Sequence, residues 1–225
     1  MNSARNLRTV LAACARAGRI EEAVAGLSDA EIAFLLKDWP TFAHDHQLPP
    51  ESSWSIWLLM GGRGAGKTRA GAEWIRALAL GHGWCSERMC GRIALVGETF
   101  GDVREVMVEG VSGLLAVHGK KERPVWLPTR RRLEWPNGAV AQAYSSEDPE
   151  ALRGPQFDIA WCDELAKWRY AEETFDMLQF GLRLGERPRQ LITTTPRPLP
   201  LLKRLMALPG TVISHAPTRA NAYNL

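Results

Sequence analysis

The chain has 225 residues, of which 45% are hydrophobic and 24% charged, and its formal net charge is +3. These values are typical of a globular protein and argue against a disordered or fibrous chain, and the length suits one large domain or one domain with an appendage. The nearly balanced charge gives no overall signal for nucleic acid or a membrane surface, and no apolar run approaches the length of a membrane span.

The N-terminal segment is predicted to form short amphipathic helices. Ser28 and Glu31 have the spacing of a capping box, and the apolar residues from Ile32 onward continue a helical pattern. Pro40 is expected to end that helix. The pattern then changes to a strand over residues 54–60, a glycine-rich loop over 61–67 and a helix over 68–80.

The rest of the chain alternates between strand and helix patterns. Asn137-Gly138 lies between two strand-like runs and predicts a hairpin. Strands alternating with helices predict βαβ units on a parallel sheet. The further predicted elements are strands at 92–96, 131–135, 139–144, 157–162, 190–195 and 211–215, and helices at about 102–117 and 165–184.

The glycine-rich loop matches the pattern G-x-x-x-x-G-K-[ST], with a strand before it and a helix after it. Glycines let backbone N–H groups converge on phosphate oxygens, and the helix amino terminus adds partial positive charge. Lys67 is expected to reach the β- and γ-phosphates, and Thr68 to coordinate Mg²⁺. The alternative is a glycine-rich turn that happens to precede a lysine. The loop consists of Gly61, Gly62, Arg63, Gly64, Ala65, Gly66, Lys67 and Thr68.

Two carboxylates follow the apolar strand pattern at 157–162. Asp163 is expected to hold Mg²⁺ through water, and Glu164 to orient and deprotonate an attacking water. The alternative is a pair of solvated carboxylates that cap the following helix. A carboxylate pair suits an ATPase better than a GTPase, and the sequence has no Asn-Lys-x-Asp guanine-reading element.

Three threonines, Thr193–Thr195, end the next predicted strand before Pro196. Hydroxyls at the carboxyl end of a parallel strand point into the crevice where ligands bind, so they could report whether the γ-phosphate is present. The alternative is that threonine simply favours strands.

At these residues the sequence resembles the large terminase subunit of tailed bacteriophages and gene transfer agents, the ATPase that pumps DNA into a capsid. The resemblance implies an α/β, RecA-like (ASCE) P-loop NTPase with a mainly parallel central sheet flanked by helices and a small helical lid. It divides the chain into a lid segment (1–50), an ATPase core (51–217) and the start of a linker (218–225) to a nuclease domain, so nuclease activity is not expected of this chain. The matching segments are Gly61–Gly71, Leu152–Asp158, Asp163–Trp168 and Thr193–Pro196.

The resemblance also implies roles for residues outside the loop and the acidic pair. Arg63, inside the loop, would sense or stabilise the γ-phosphate, and Gln47 would contact adenine. Arg153 matches the position from which relatives insert an arginine into a neighbouring subunit's nucleotide; the alternative is a loop arginine paired with Asp148 or Glu150. Thr194 and Thr195 would couple hydrolysis to movement.

The partners implied by the resemblance are ATP and Mg²⁺, double-stranded DNA, a portal protein and a small terminase subunit. The motor would assemble on the portal as a homo-oligomer, most simply a pentamer, in the cytoplasm of a bacterial host, whereas the isolated domain could be monomeric. Two other readings stay open: another P-loop ATPase acting on nucleic acid, such as a helicase or recombinase, and a nucleotide-responsive assembly module that is not an enzyme.

Two compact basic clusters could contact DNA phosphates without reading bases, which suits a motor that must move along any sequence. The alternative is a solvated face or an intersubunit surface. The tryptophans mostly lie among apolar residues, which favours core packing over base stacking. The clusters are Lys120, Lys121 and Arg123, and Arg130–Arg132.

Overall fold

The computed structural model describes residues 2–85 and 88–216. The chain divides into two compact units, Met1–Leu48 and Pro49–Leu225. The linker predicted at 218–225 lies outside the described residues. In the described part, no helix is both long enough and apolar enough to cross a membrane.

The N-terminal unit is helical. It contains α1 (Asn2–Arg16), α2 (Ile20–Val24), α3 (Asp29–Leu35), α4 (Trp39–Phe42) and a 3₁₀ turn (Asp45–Gln47).

The capping box predicted at the start of α3 is confirmed. Ser28 Oγ accepts a hydrogen bond from the Glu31 N–H at 3.3 Å, and Glu31 Oε2 accepts one from the Ser28 N–H at 2.8 Å. The prediction for Pro40 was wrong: α3 ends at Leu35, and Pro40 lies in the first turn of α4. A first-turn residue needs no intrahelical N–H bond, so proline is tolerated there.

The second unit is built on one eight-stranded sheet in the order β3-β4-β5-β2-β6-β7-β1-β8. Only the β3–β4 and β4–β5 pairs are antiparallel, which confirms the mainly parallel sheet. The hairpin predicted at Asn137-Gly138 joins β4 to β5, and Gly138 has the positive φ of 89° that its turn requires. The strands are β1 (Ile56–Gly61), β2 (Arg92–Gly97), β3 (Val125–Leu127), β4 (Arg132–Glu134), β5 (Val140–Ser145), β6 (Ile159–Asp163), β7 (Arg189–Thr194) and β8 (Thr211–Ala216).

The helix predicted at 68–80 is confirmed, whereas the two other predicted helices of this unit are shorter than the sequence pattern predicts. The stretch predicted at 102–117 is broken at Gly110 and Gly113, where a Cβ would lie 2.6 Å and 2.8 Å from backbone carbonyl oxygens. The helix predicted at 165–184 is a 3₁₀ turn (Leu165–Lys167) followed by a separate helix. The helices are α5 (Lys67–Leu80), α6 (Phe100–Asp102) running into a π-helical turn (Val103–Val108), α7 (Leu114–Val117), α8 (Ala171–Gly181) and α9 (Pro200–Ala207).

The sheet separates two apolar cores, because alternate residues of each strand face opposite sides. Trp57 and Leu59 of β1 join the core that includes α5 residues, whereas Leu58 and Met60 join the core that includes α8 and α9 residues. The central strands are therefore apolar on both faces, as expected for buried parallel strands. Core packing of tryptophan is confirmed for Trp54, Trp57, Trp74, Trp135, Trp161 and Trp168, which are all buried.

Candidate active site

The sheet order brings the glycine-rich loop and the acidic pair to the same edge. Only β7 lies between β1, which ends at the loop, and β6, which ends at Asp163. Thr193 of β7 is in register with Leu59 of β1 on one side and with Asp163 of β6 on the other. The carboxyl ends of parallel strands form the usual ligand crevice of such a sheet.

Glycines shape the loop between β1 and α5. Gly64 and Gly66 have φ values of 73° and 72°, a region that favours glycine. A Cβ on Gly61 would lie 2.7 Å from the Cβ and the carbonyl oxygen of Ala216, so β8 packs against the start of the loop. The N-cap residue of α5 is Gly66, which has no side chain of its own to cap the helix, so the partial positive charge of the helix end lies at the loop. The loop can hold a phosphate-like anion.

Lys67 folds back over this loop towards the acidic pair. Its Nζ donates hydrogen bonds to the carbonyl oxygens of Gly61 at 2.8 Å and Gly62 at 3.1 Å. The same nitrogen lies 4.0 Å from Oε1 of Glu164, and 10% of the lysine side chain is exposed. The ammonium group therefore connects the loop to the carboxylate at the end of the second strand.

Asp163 offers the oxygen chemistry of a divalent-cation site. Its Oδ1 accepts a hydrogen bond of 2.6 Å from the Thr193 hydroxyl. Among the described residues Oδ2 has no hydrogen bond, and neither does the hydroxyl of Thr68 at the start of α5. Burial raises the pKa of Asp163 to about 6, while the hydrogen bond from Thr193 opposes that shift. Hydroxyl and carboxylate oxygens are the ligands that Mg²⁺ takes in nucleotide sites, so these residues fit that ion.

Glu164 is held in an unusual backbone conformation, with φ 50° and ψ 46°. Such a left-handed residue other than glycine costs on the order of 1–3 kcal/mol and is found at functional sites more often than elsewhere. Its carboxylate accepts hydrogen bonds from the N–H of Thr195 at 2.7 Å and from the Thr195 hydroxyl at 2.9 Å. The end of β7 therefore fixes the direction of Glu164.

The threonines of β7 divide between the two carboxylates and the following turn. Thr193 contacts Asp163 and Thr195 contacts Glu164, whereas the Thr194 hydroxyl accepts a hydrogen bond from the Ala166 N–H at 3.0 Å. The motif alone did not single out Thr193, because threonine is common in buried strands.

The remaining predicted site residues, Arg63, Arg153 and Gln47, make none of the contacts described above. Arg63 is exposed and makes no hydrogen bond or ion pair with any residue that the structure describes. Arg153 is 75% exposed and pairs with Glu150 at 3.2 Å, which is the alternative contact named above. Gln47 belongs to the N-terminal unit, where its Oε1 accepts a hydrogen bond from the His44 N–H at 2.9 Å. The predicted adenine contact of Gln47 stays a prediction.

A buried ion-pair chain anchors α5 beyond the loop. Glu73, which is 2% exposed, pairs with Arg69 at 2.7 Å and with Arg76 at 3.1 Å. Arg76 also pairs with Glu122 at 2.7 Å. The spacing of Arg69, Glu73 and Arg76 on one helix could have revealed the first two pairs, but the contact to Glu122 spans the fold and has no local signal.

Much of the second basic cluster is engaged within the chain. The Arg131 guanidinium lies 3.8 Å from the centre of the Phe100 ring, and Arg132 pairs with Glu134. Arg130 is exposed. The hypothesis that these clusters contact DNA and the alternative that they form a solvated face or an intersubunit surface both stay open.

Comparison with known proteins places this arrangement in a family. The family model described as "Terminase large subunit, T4likevirus-type, N-terminal" matches residues 58–216. The comparison with curated proteins gives no match.

Solved structures match the fold at low sequence identity. The large terminase ATPase domain of Thermus phage P74-26 matches with a TM-score of 0.56 and 16% identity, over 77% of this chain and 80% of that one. The large terminase of a thermophilic bacteriophage, solved in complex with ADP, matches with a TM-score of 0.57 and 14% identity, over 84% of this chain and 46% of that one. The match thus spans less than half of that second protein. These likenesses show that the chain shares the fold of these large terminase structures.

Proposed function

Because this chain belongs to the family of terminase large subunits, we propose that it is an ATP-hydrolysing motor domain that moves double-stranded DNA into a procapsid. One observation carries the proposal: Lys67 Nζ, from the glycine-rich loop, lies 4.0 Å from Glu164 Oε1, at the end of a second strand. In this proposal the ATPase core lies within residues 51–217, and residues 1–50 are a helical lid segment.

The loop binds the phosphates of ATP. Its backbone N–H groups and the amino end of α5 attract the anion, and Lys67 turns from the carbonyls of Gly61 and Gly62 towards the β- and γ-phosphates. Arg63, exposed in the same loop, is placed to stabilise charge that develops on the γ-phosphate. The ADP complex of the thermophilic bacteriophage's large terminase supports a nucleotide as the ligand.

Thr68 and Asp163 hold the metal of the nucleotide complex. The Thr68 hydroxyl would be a direct ligand, and Asp163 would act through a bound water. When bound, Mg²⁺ neutralises charge on the β- and γ-phosphates. Asp163 keeps Oδ2 available for this role because Thr193 engages only Oδ1.

Glu164 orients the attacking water and accepts its proton. A general base of this kind contributes about 10²–10⁴-fold to the rate. Its hydrogen bonds to Thr195 fix the carboxylate at the end of β7. A change at the γ-phosphate that moves Glu164 therefore displaces Thr195 directly and reaches Thr194 through the adjoining peptide, and these two threonines couple hydrolysis to movement.

Arg153 acts in a neighbouring subunit. Its guanidinium is 75% exposed, so exchanging Glu150 for an anion of another subunit requires no unfolding of this chain. An arginine supplied in trans can raise phosphoryl-transfer rates by about 10³–10⁵-fold. The working assembly is a ring, most simply a pentamer, on the portal protein, with the small terminase subunit and double-stranded DNA as further partners.

The test compares ATP turnover and nucleotide affinity in matched variants. Lys67→Ala should lose both, whereas Glu164→Gln should bind ATP with nearly wild-type affinity and turn it over at least about 100-fold more slowly. Glu173→Gln, an exposed carboxylate on α8, is the control and should leave both unchanged.

The outcomes separate the competing readings. If Glu164→Gln turns over ATP at the wild-type rate, a catalytic role of Glu164 is excluded. If the wild-type chain binds nucleotide but never hydrolyses it, even at concentrations that permit oligomers, the assembly-module reading is favoured. DNA movement is tested by packaging into procapsids with the full-length subunit, scored by protection of the DNA from added nuclease.

A further inference from the structure

The hydroxyl of Thr193 lies between a buried indole and a predicted metal-site carboxylate. Trp161 Nε1 donates a hydrogen bond to Thr193 Oγ1 at 3.2 Å, and Thr193 Oγ1 donates to Asp163 Oδ1 at 2.6 Å. The side chains come from two neighbouring strands, with Thr193 in register with Asp163. This contact is separate from those of Thr194 and Thr195.

The carboxylate of Asp163 and the indole N–H of Trp161 together determine where the threonine proton points. A hydroxyl has one proton to donate, and Thr193 has two possible acceptors, the Cys162 carbonyl oxygen at 3.1 Å and Asp163 Oδ1 at 2.6 Å. A carboxylate is the stronger acceptor, and the shorter distance agrees with it. Because Trp161 donates to the same oxygen, it occupies one lone pair and excludes the threonine proton from that direction.

Packing fixes all members of this chain of hydrogen bonds. Thr193 and Trp161 are fully buried. A Cβ on Gly71 of α5 would lie only 2.2 Å from the Trp161 ring, so the helix that follows the loop packs directly on the indole. The ring has little room to rotate, and the hydroxyl that it orients has one direction.

We propose that Thr193, oriented by Trp161, is a positioning residue that fixes Asp163 for binding the Mg²⁺ of a metal–nucleotide complex. The inference rests on the function proposed above. With Oδ1 held by Thr193, Oδ2 is directed into the site; without that bond the carboxylate rotates about its side-chain torsions. Partners that orient a metal-site ligand in this way typically contribute about 10–100-fold to metal affinity.

The decisive variant is Thr193→Val, which keeps the shape of the side chain and removes the hydroxyl. The readout is the affinity of fluorescent mant-ADP, measured once with Mg²⁺ and once with EDTA. The ratio of the affinity with Mg²⁺ to the affinity with EDTA measures how much the metal ion contributes to nucleotide binding. Thr193→Val should reduce this ratio by about 10–100-fold and leave the affinity in EDTA near the wild-type value. Thr193→Ser, which retains the hydroxyl, should stay within about 3-fold of the wild type.

Thr211→Val is the matched control. Thr211 is also a strand residue, and its buried hydroxyl has no partner within the described residues. This variant should leave the ratio unchanged. Trp161→Phe, which removes the indole N–H, should lower the ratio less than Thr193→Val, because the hydroxyl remains but the direction that the indole occupied becomes open to its proton.

The same assay distinguishes a variant that fails to fold from one that loses only metal-dependent binding. The affinity in EDTA reports whether the loop is intact, so a Thr193→Val variant that fails to fold is recognised. In that case Thr193→Ala, which also removes the hydroxyl, carries the test through Mn²⁺ binding followed by electron paramagnetic resonance, and it should bind Mn²⁺ more weakly than Thr193→Ser does. A wild-type chain without any Mg²⁺-dependent affinity would overturn the proposed function. A wild-type chain with that dependence and a Thr193→Val variant with the same ratio would overturn this inference alone.

Discussion

Replacing Gly71 with alanine should destabilise the protein, although alanine normally favours a helix. Gly71 lies within α5 and is buried against Trp161. A Cβ built there would lie 2.2 Å, 2.4 Å and 2.6 Å from three atoms of the indole. Carbon atoms in contact normally lie about 3.5–4.0 Å apart, so the ring or the helix would have to move by more than about 1 Å.

Two opposing contributions determine how much Gly71→Ala changes the free energy of unfolding. The change from glycine to alanine within a helix stabilises by about 1 kcal/mol. Overpacking a close-packed core costs about 1–3 kcal/mol and sometimes more, and the fully buried indole places this site at the upper end. The net effect is a loss of about 2 kcal/mol in the free energy of unfolding, or a fall in Tm of about 4–8 °C for a chain of this size.

Equilibrium unfolding in urea, followed by circular dichroism, measures the effect. Gly91→Ala is the control, because a Cβ there meets no atom within 4 Å; it should change stability by less than about 0.5 kcal/mol. Adding Trp161→Leu should relieve the clash. The double variant should therefore lose less free energy of unfolding than the sum of the losses of the two single variants. A Gly71→Ala variant as stable as the wild type would refute the close packing of α5 on β6.

Three further predictions follow from named contacts. Arg153→Ala should reduce ATP turnover of the assembled motor by at least about 10³-fold and leave nucleotide affinity nearly unchanged; loss of binding instead would contradict its role in a neighbouring subunit. Glu73→Ala should lower the free energy of unfolding by about 1–3 kcal/mol, since the buried Arg76 then keeps only Glu122 as its partner, and a loss under about 0.5 kcal/mol in urea unfolding would exclude this. Burial lowers the pKa of His118 from 6.5 to about 4. The stability that depends on neutral His118 is therefore complete above about pH 6.5 and is lost as the pH falls towards about 4, with a loss of about 2 kcal/mol at about pH 5. Stability curves of the wild type and of His118→Gln that run parallel over this range would refute this prediction.

The local parts of this fold could be predicted from the sequence, because their signals lie within a few residues. The capping box at Ser28 and the glycine loop before Lys67 each depend on fixed spacing along the chain. The alternation of strands and helices likewise predicts a parallel sheet. The sequence alone could not supply the strand order, which places β7 between the loop and Asp163.

Contacts between distant segments had no local signal. Thr193 is one of three threonines in an ordinary strand pattern, and only the register with Asp163 distinguishes it. The helix predicted to begin at Leu165 starts instead at Ala171, because Glu164 adopts a left-handed conformation and a 3₁₀ turn follows it. Hydrophobic periodicity cannot report such a turn, since the apolar residues Leu165 and Ala166 on it are buried as helical residues would be.

The most direct test of the account is a crystal structure of the chain with Mg²⁺ and a non-hydrolysable ATP analogue. The account predicts the γ-phosphate within about 3 Å of Lys67 Nζ, the metal on the Thr68 hydroxyl, and Asp163 one water away from it. Glu164 should face the γ-phosphate on the side opposite the leaving oxygen. A nucleotide bound away from the loop, or one with Asp163 and Glu164 turned away from its phosphates, would contradict the account.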